Sequence, residues 1–282
     1  MKKTLLLTII TFSLITLWSC EEDNLINGAT GNTNTTTPII PAVTTKCYLK
    51  EQALTEDGEN YSSKYSYNTK NQLININNDG AISTYDYDGN NRVTKLTVVD
   101  GEGIETLIYD YDSKGYLANI KYSSKNTPLT MFIDEYKIST NSSGQITQVK
   151  AITEDMNIDF LLEYDSKSNL KKLIASADGQ NLTLIENRTF DDKTNAFANA
   201  GLGKIHLPFV LVGAFFGENL SYFLNTNNIL TDTGISFFSE DPTSRTYKYE
   251  YSKDGLPSKM SFIRTERTDK YEGSSTFTYD CK

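Results

Sequence analysis

Along most of the chain apolar and polar side chains alternate with a period of two, and the alternation comes in blocks. Leu107, Tyr109 and Tyr111 fall on one side of an extended segment while Thr106 and Asp110 fall on the other, and Tyr247, Tyr249 and Tyr251 oppose Lys248 and Glu250 in the same way. Such a segment is a strand with one buried and one wet face, a surface that aromatic and β-branched residues suit. Tyr65-Ser66-Tyr67-Asn68, Tyr85-Asp86-Tyr87-Asp88, Tyr109-Asp110-Tyr111-Asp112, Leu162-Glu163-Tyr164-Asp165, Tyr249-Glu250-Tyr251-Ser252 and Phe277-Thr278-Tyr279-Asp280 share one pattern: two aromatic or apolar residues two apart, then a turn former. Tyr136-Lys137-Ile138 and Thr189-Phe190-Asp191 are weaker copies. After the turn comes a second apolar stretch, led by Leu73, Val93, Leu117, Ile146 or Leu170 and followed three residues later by Ile76, Leu96, Ile120, Val149 or Leu173. Each repeat is therefore a β hairpin, and hairpin after hairpin predicts an all-β, up-and-down antiparallel meander of about 14 to 16 strands, each about 5 to 8 residues long. The spacing of three changes parity, so the first apolar residue is expected to cover the turn and the ladder to start after it.

Three stretches leave this rhythm. Thr4 to Leu17 is almost wholly apolar or small, with Lys2 and Lys3 before it and Ser19-Cys20-Glu21-Glu22-Asp23 just beyond it. A positive start, a short apolar run and a small residue at the break are the anatomy of an export signal, and about 14 apolar residues fall short of the roughly 20 of a membrane-spanning helix. Residues 1–19 are expected to be a signal peptide. Ser19-Cys20 resembles a bacterial lipobox, with Trp18 departing from its small or aliphatic residue, and Cys20 followed at once by acidic residues resembles the surface-export signal of Bacteroidetes lipoproteins. The resemblance implies that Cys20 is lipidated and anchors an outer-membrane lipoprotein on the cell surface or the periplasmic face. Residues 20–45, rich in Thr, Asn, Gly and Pro, cannot bury enough apolar surface to fold alone and read as a flexible tether. Residues 46–282 then form a single β domain, interrupted by a non-repeating insert at 195–228.

Tyr-x-Tyr-Asp followed by a turn and an apolar stretch resembles the YD repeats of RHS-type surface proteins. Signal, linker and repeats together resemble more closely a family of Bacteroidetes lipoproteins with a porin-like fold and no assigned activity. Phe190 to Phe197 and Leu224 to Asn228 are similar to that family's non-repeating insert, with Asn195-Ala196-Phe197 in place of its Asn-Pro-Phe. The resemblance implies that the meander closes as a barrel and supplies no catalytic residues. The exposed faces carry Lys64, Asp86, Asp110, Glu163, Lys248 and Glu250 rather than a lipid-facing apolar band, and strands this short fall below the roughly 9 to 11 residues of a transmembrane strand. The apolar face then points inwards. A round barrel of this size would leave a wide lumen, so a flattened barrel with tyrosines meeting across the middle, or a plug, is expected. Ile205 to Gly217 is the most apolar stretch after the signal, interrupted by Pro208 and Gly213 and too short for a membrane span. It is expected to form a short helix or loop that folds over one end of the barrel and buries Phe209, Leu211, Phe215 and Phe216 as a plug, first as plain core completion and, in a second reading, with Tyr222 and Phe223 on a rim that lines a binding site at that end. Closure would also make the first and last strands neighbours. With Cys20 lipidated, Cys47 and Cys281 are the thiols left in an oxidising compartment, and they are expected to form a disulfide.

Charge and candidate chemistry narrow the function. The formal net charge of −9 becomes −11 once Lys2 and Lys3 leave with the signal, so nucleic acid is not an expected partner. His206 is the only histidine, which excludes chemistry that needs two imidazoles. Asp86-Tyr87-Asp88-Gly89-Asn90 invites a calcium reading, but it lacks the Gly at the sixth and the Glu at the twelfth loop position, and the same Asp recurs in repeat after repeat. A hairpin turn held by its Asp side chain is the better reading. Glu154-Asp155 and Asp191-Asp192 could serve a glycosidase, but adjacent strand residues point to opposite faces, so solvated charges are expected instead. His206 with Ser221 or Ser236 lacks a nucleophile elbow, and Gly201-Leu202-Gly203 is too short to cradle a phosphate. No catalytic residue, metal or cofactor is expected. The chain has 18 Tyr and 13 Phe; tyrosine suits sugar and protein recognition, but most of these tyrosines occupy repeat positions and read as core. The expected function is a non-enzymatic, surface-anchored binding or interaction module for a glycan or a protein, then an accessory subunit docking on another envelope protein, then a carboxylate-based hydrolase.

Overall fold

The computed structural model describes residues 46–282 apart from 57, 127–132, 154–156, 178, 198–199, 201 and 240; the signal segment, Cys20, the tether, Glu154-Asp155 and Gly201 lie outside the described residues. Sixteen strands follow in order: β1 Cys47–Glu56, β2 Glu59–Tyr67, β3 Leu73–Asn78, β4 Ala81–Tyr87, β5 Val93–Asp100, β6 Gly103–Tyr111, β7 Leu117–Lys125, β8 Glu135–Thr140, β9 Ile146–Ile152, β10 Asn157–Tyr164, β11 Leu170–Ala177, β12 Gln180–Thr194, β13 Asn227–Ile235, β14 Pro242–Tyr251, β15 Pro257–Glu266 and β16 Asp269–Cys281. Every strand pairs antiparallel with its sequence neighbours, and β1 pairs with β16, so the meander closes as a barrel without edges. Among the described residues one helix, α1 Leu207–Phe215, and a 3-10 turn at Ser221–Leu224 lie in the insert between β12 and β13.

The turn former of each repeat closes its hairpin through its own side chain. Asp88 Oδ1 accepts the backbone N–H groups of Asn90 and Arg92 at 2.8 and 2.9 Å, and Asn91, at φ 62°, donates its N–H to the Asp88 carbonyl. Asn68, Asp112, Asn141 and Asp165 repeat this arrangement. In the calcium-like stretch it is thus the Asp88 carboxylate that is engaged in local hydrogen bonds, as an Asx turn requires. These turns, together with Lys46 and Lys282, define the terminal end of the barrel; the hairpins joining β1 to β2, β3 to β4 and so on define the distal end.

The ladder differs from expectation where parity changes. It begins at the first apolar residue rather than after it: Tyr87 pairs with Val93 and Asp86 with Lys95, so Thr94 is bulged out. The same bulge recurs where β2, β6, β8, β10 and β14 meet the following strand. One extra residue restores the parity, so that Val93 and Leu96 both point inwards and are buried. Carrying the ladder through the bulge also makes the strands longer than expected, from 6 residues in β3 to 15 in β12. Length therefore does not separate them from transmembrane strands; Lys64, Asp86, Asp110, Glu163, Lys248 and Glu250 are exposed on the outward faces, as the alternation predicts.

The two tyrosines of a repeat have different jobs. The second donates its hydroxyl to the carbonyl beside a neighbouring bulge: Tyr87 to Leu73 at 2.6 Å, Tyr111 to Val93 at 2.8 Å, Tyr67 to Leu49 at 2.9 Å and Tyr279 to Pro257 at 2.8 Å. In β12, which lacks the tyrosine, Asn187 Nδ2 reaches the Leu170 carbonyl at 2.7 Å instead. The first tyrosine faces the insert: the Tyr109 hydroxyl donates to the Ile205 carbonyl and the Tyr85 hydroxyl meets His206 Nε2, both at 2.8 Å.

Those contacts show where the insert goes. It leaves and re-enters the wall at the terminal end, where the Asn195 N–H donates to the Thr226 carbonyl and Asn169 bonds Asn227. From His206 the apolar α1 runs down the lumen until Phe215 packs edge-on to Phe160 of β10 and stacks on Phe237 at the distal end. The chain turns at Gly217, φ 86°, and returns through the 3-10 turn. The plug therefore threads the lumen rather than folding over one end. A sixteen-stranded wall leaves a channel unless something fills it, and a helix apolar on all sides is stable only when surrounded. Gly213 permits the return: a Cβ there would lie 3.0 Å from the Leu220 side chain. Leu207, Val210, Leu211, Val212 and Phe215 are buried, each worth roughly 1.5–3 kcal/mol before ordering costs.

Candidate binding site

The disulfide is formed: Cys47 and Cys281 face each other in register across the β1–β16 seam with an S–S distance of 2.09 Å. Backbone hydrogen bonds exchanged between Lys46 and Lys282 flank it.

The candidate catalytic residues are engaged elsewhere. Asp191 accepts hydrogen bonds from the Asn228 backbone and side chain at 3.1 and 3.0 Å, from the Lys193 N–H at 3.0 Å and from the Tyr251 hydroxyl, fixing the root of the insert; Asp192 faces solvent. Ser221 accepts from Asn187 and Ser236 donates to the Phe215 carbonyl, while His206 bonds Tyr85, so no Ser–His pair forms. Burial holds the His206 imidazole neutral, its pKa lowered to about 3. Because the folded value lies below the unfolded one near 6.5, the unfolded chain binds more protons between those two values, and this residue's contribution to stability is lost as pH falls from 6.5 towards 3. Chemical denaturation should show the natural protein losing up to about 1.4 kcal/mol more per pH unit in that window than His206→Gln.

Tyr222 and Phe223 are not on a rim. They lie in the lumen, where Tyr222 packs on Phe197 at 5.1 Å between ring centres and Phe223 packs on Phe197 and His206 at 4.9 and 4.8 Å. Together they face a cleft of about 140 Å³ between the plug and the wall of β1 to β5, its mouth at Asp79 in the β3–β4 turn. Its lining includes Ser63, Tyr65, Asn78, Ala81, Ser83 and Phe209.

Alternation did not reveal the barrel's distal face. Leu211 and Phe215 are buried as expected, but Phe209 is only half-buried and Phe216 is 40% exposed, because the turn at Gly217 carries Phe216 out of the lumen. There it meets Phe237 and Phe238 from the β13–β14 connection, which are 43% and 69% exposed; Phe216 and Phe238 lie 5.6 Å apart between ring centres. A cleft of about 410 Å³ beside this cluster is lined by Glu218, Asp241, Arg264, Glu266, Arg267 and Asp269, among others. Arg264 is paired with Glu218 and Glu266, and Arg267 with Asp241. Burial pushes the Glu218 carboxyl up, against the pull of Arg245 and Arg264. The signal missed in the sequence was Phe237-Phe238, two adjacent aromatics in a turn.

The RHS repeat family model matches residues 67–103, from Tyr67 through the Asp88 turn to the start of β6. A crystal structure of a porin-like protein from Bacteroides uniformis is similar to this chain with a TM-score of 0.50 at 13% identity, covering 82% of this chain and 98% of that one. A second porin-like protein, from Bacteroides vulgatus, gives a TM-score of 0.41 at 11% identity, with 83% and 99% covered. The structure of a TcdB2–TccC3–Cdc42 complex gives 0.34 at 13% identity; 78% of this chain aligns to 14% of that one. No curated protein matches the chain. The architecture is a porin-like barrel containing RHS-type repeats.

Proposed function

We propose that this plugged, porin-like barrel is a non-enzymatic docking module, held at the envelope by a lipid on Cys20 and presenting its distal end to a basic protein surface. The observation that carries the reading is the cluster of Phe216, Phe237 and Phe238: three exposed rings in one patch, where single exposed apolar residues are ordinary but a contiguous patch marks an interaction surface. Lys46, from which the 20–45 tether continues, is at the opposite end, so the patch is the face the anchor leaves free. Asp241 and Asp269 lie beside it, and Glu59, Asp79, Asp100 and Glu102 are at the same end of the barrel, which favours a cationic partner. The threaded plug and the charged outer wall favour docking over conduction, and a protein partner is favoured over a glycan at this end because the patch is apolar and its flanking arginines are paired.

Two measurements test the reading. Cys20→Ala should move the protein from the membrane fraction to the soluble one; retention in the membrane would remove the anchor from the proposal. Phe216→Ser with Phe238→Ser, both at exposed positions, should leave the melting temperature nearly unchanged and lower the yield of co-purifying protein from intact cells about tenfold or more. Equal yields from the variant and the natural protein would refute the distal face as the docking site.

A further inference from the structure

We infer that the lumenal cleft between the plug and β1 to β5 is a second, separate binding site, which takes one neutral sugar unit. The cleft is built from two kinds of surface. Phe209, Tyr222 and Phe223 are only half-buried although the plug around them is core, so their rings form an apolar wall facing open space. Across from them the barrel wall contributes the hydroxyls of Ser63, Tyr65 and Ser83 and the amide of Asn78.

The charge of the lining decides the ligand class. Asp79, at the mouth, is the one charged side chain among the lining residues, and its carboxylate already accepts the Ser62 N–H at 2.9 Å. His206 is neutral and bound to Tyr85. A phosphate or carboxylate ligand would be buried with no positive charge to meet it and with the Asp79 carboxylate to repel it, which is costly. A wholly apolar ligand would strand the hydroxyls and the amide without water. A neutral polyhydroxylated ring satisfies both surfaces, one face stacked on aromatic carbon and its hydroxyls bonded to uncharged donors and acceptors. A cavity of about 140 Å³ admits a single such ring and not a chain, and its opening at the distal end gives access from outside or to the end of a longer glycan.

The test uses the mature protein with all its residues. Glucose, galactose, mannose and N-acetylglucosamine are compared with glucuronate and galacturonate by melting temperature and ligand-observed NMR. At least one neutral sugar should bind, and its charged analogues should bind about tenfold more weakly or not at all. Ala81→Leu places a larger side chain in the mouth and should reduce that binding at least about tenfold, with the ligand-free melting temperature as its folding control. If that variant does not fold, the comparison of neutral with charged sugars still decides. A disaccharide ending in the preferred sugar identifies a chain end as the ligand if it binds as well, and a free sugar if it is excluded. The inference fails if no neutral sugar in the set binds, if glucuronate or galacturonate binds equally, or if folded Ala81→Leu binds as tightly as the natural protein. None of these outcomes touches the phenylalanine patch, so the two proposals stand or fall separately.

Discussion

Reducing the Cys47–Cys281 disulfide is expected to lower the unfolding free energy by up to about 5 kcal/mol, the loop-entropy value for so long a loop. The bridge spans a sequence separation of 234, so in the unfolded chain it forbids nearly every extended conformation. In the folded state it joins residues already paired across the seam, where the backbones of Lys46 and Lys282 exchange hydrogen bonds. The loss should therefore appear as a lower urea midpoint with the barrel still folded, and the m-value should rise because the reduced unfolded chain is less compact. Cys47→Ala with Cys281→Ala should reproduce the effect. A midpoint insensitive to both reductant and substitution would show that the bridge does not form in solution.

Arg245→Leu should cost about 3–5 kcal/mol, because it strands a charge rather than merely deleting one. Asp232 and Arg245 are both buried on adjacent strands, with Arg245 Nη1 donating to Asp232 Oδ1 at 2.9 Å and the Tyr247 hydroxyl donating to Asp232 Oδ2 at 2.8 Å. The other arm of the guanidinium donates to the Gly217 carbonyl, where the plug turns. The pair thus fastens the bottom of the plug to the wall. Removing both charges, as Arg245→Leu with Asp232→Leu, should recover most of the loss, since neither an unpaired ion nor its desolvation remains. Denaturation of the single and double variants measures the difference; a double variant as unstable as the single one would place the cost in the lost Gly217 contact instead.

The parts of this fold that were legible in the sequence are those set by short-range physics. Tyr85-Asp86-Tyr87-Asp88 announces a strand and its turn because alternation and Asx bonding act within a few residues. Closure followed from family resemblance, and Cys47 with Cys281 followed from closure. The bulges at Ile74 and Thr94 were not legible, since a parity change can be met by starting the ladder late or by an extra residue, and only the neighbouring strand decides. Nor was the path of the insert: the composition of Leu207–Phe215 demands burial but does not say whether over an end or through the lumen. That choice depends on the width of a sixteen-stranded wall. The docking patch was hidden for a similar reason, because Phe216 and Phe237-Phe238 are far apart in rhythm and meet only once the plug has crossed the barrel. Tyr222 and Phe223 read in the sequence as a binding rim, but the plug carries them into the lumen, a position that depends on the same unread path of the insert.

The most direct measurement of the docking proposal is site-specific photo-crosslinking in intact cells, with a photoreactive phenylalanine analogue placed at Phe238, at Lys248 on the outer wall, or at Lys70 in a turn of the terminal end. All three positions are exposed, so differences in yield report location rather than access. A protein adduct formed from position 238 and absent from 248 and 70 is the predicted result. An adduct from 248 or 70 with none from 238 would contradict it, placing the partner on the wall or at the terminal end and leaving the phenylalanine patch without the role assigned to it.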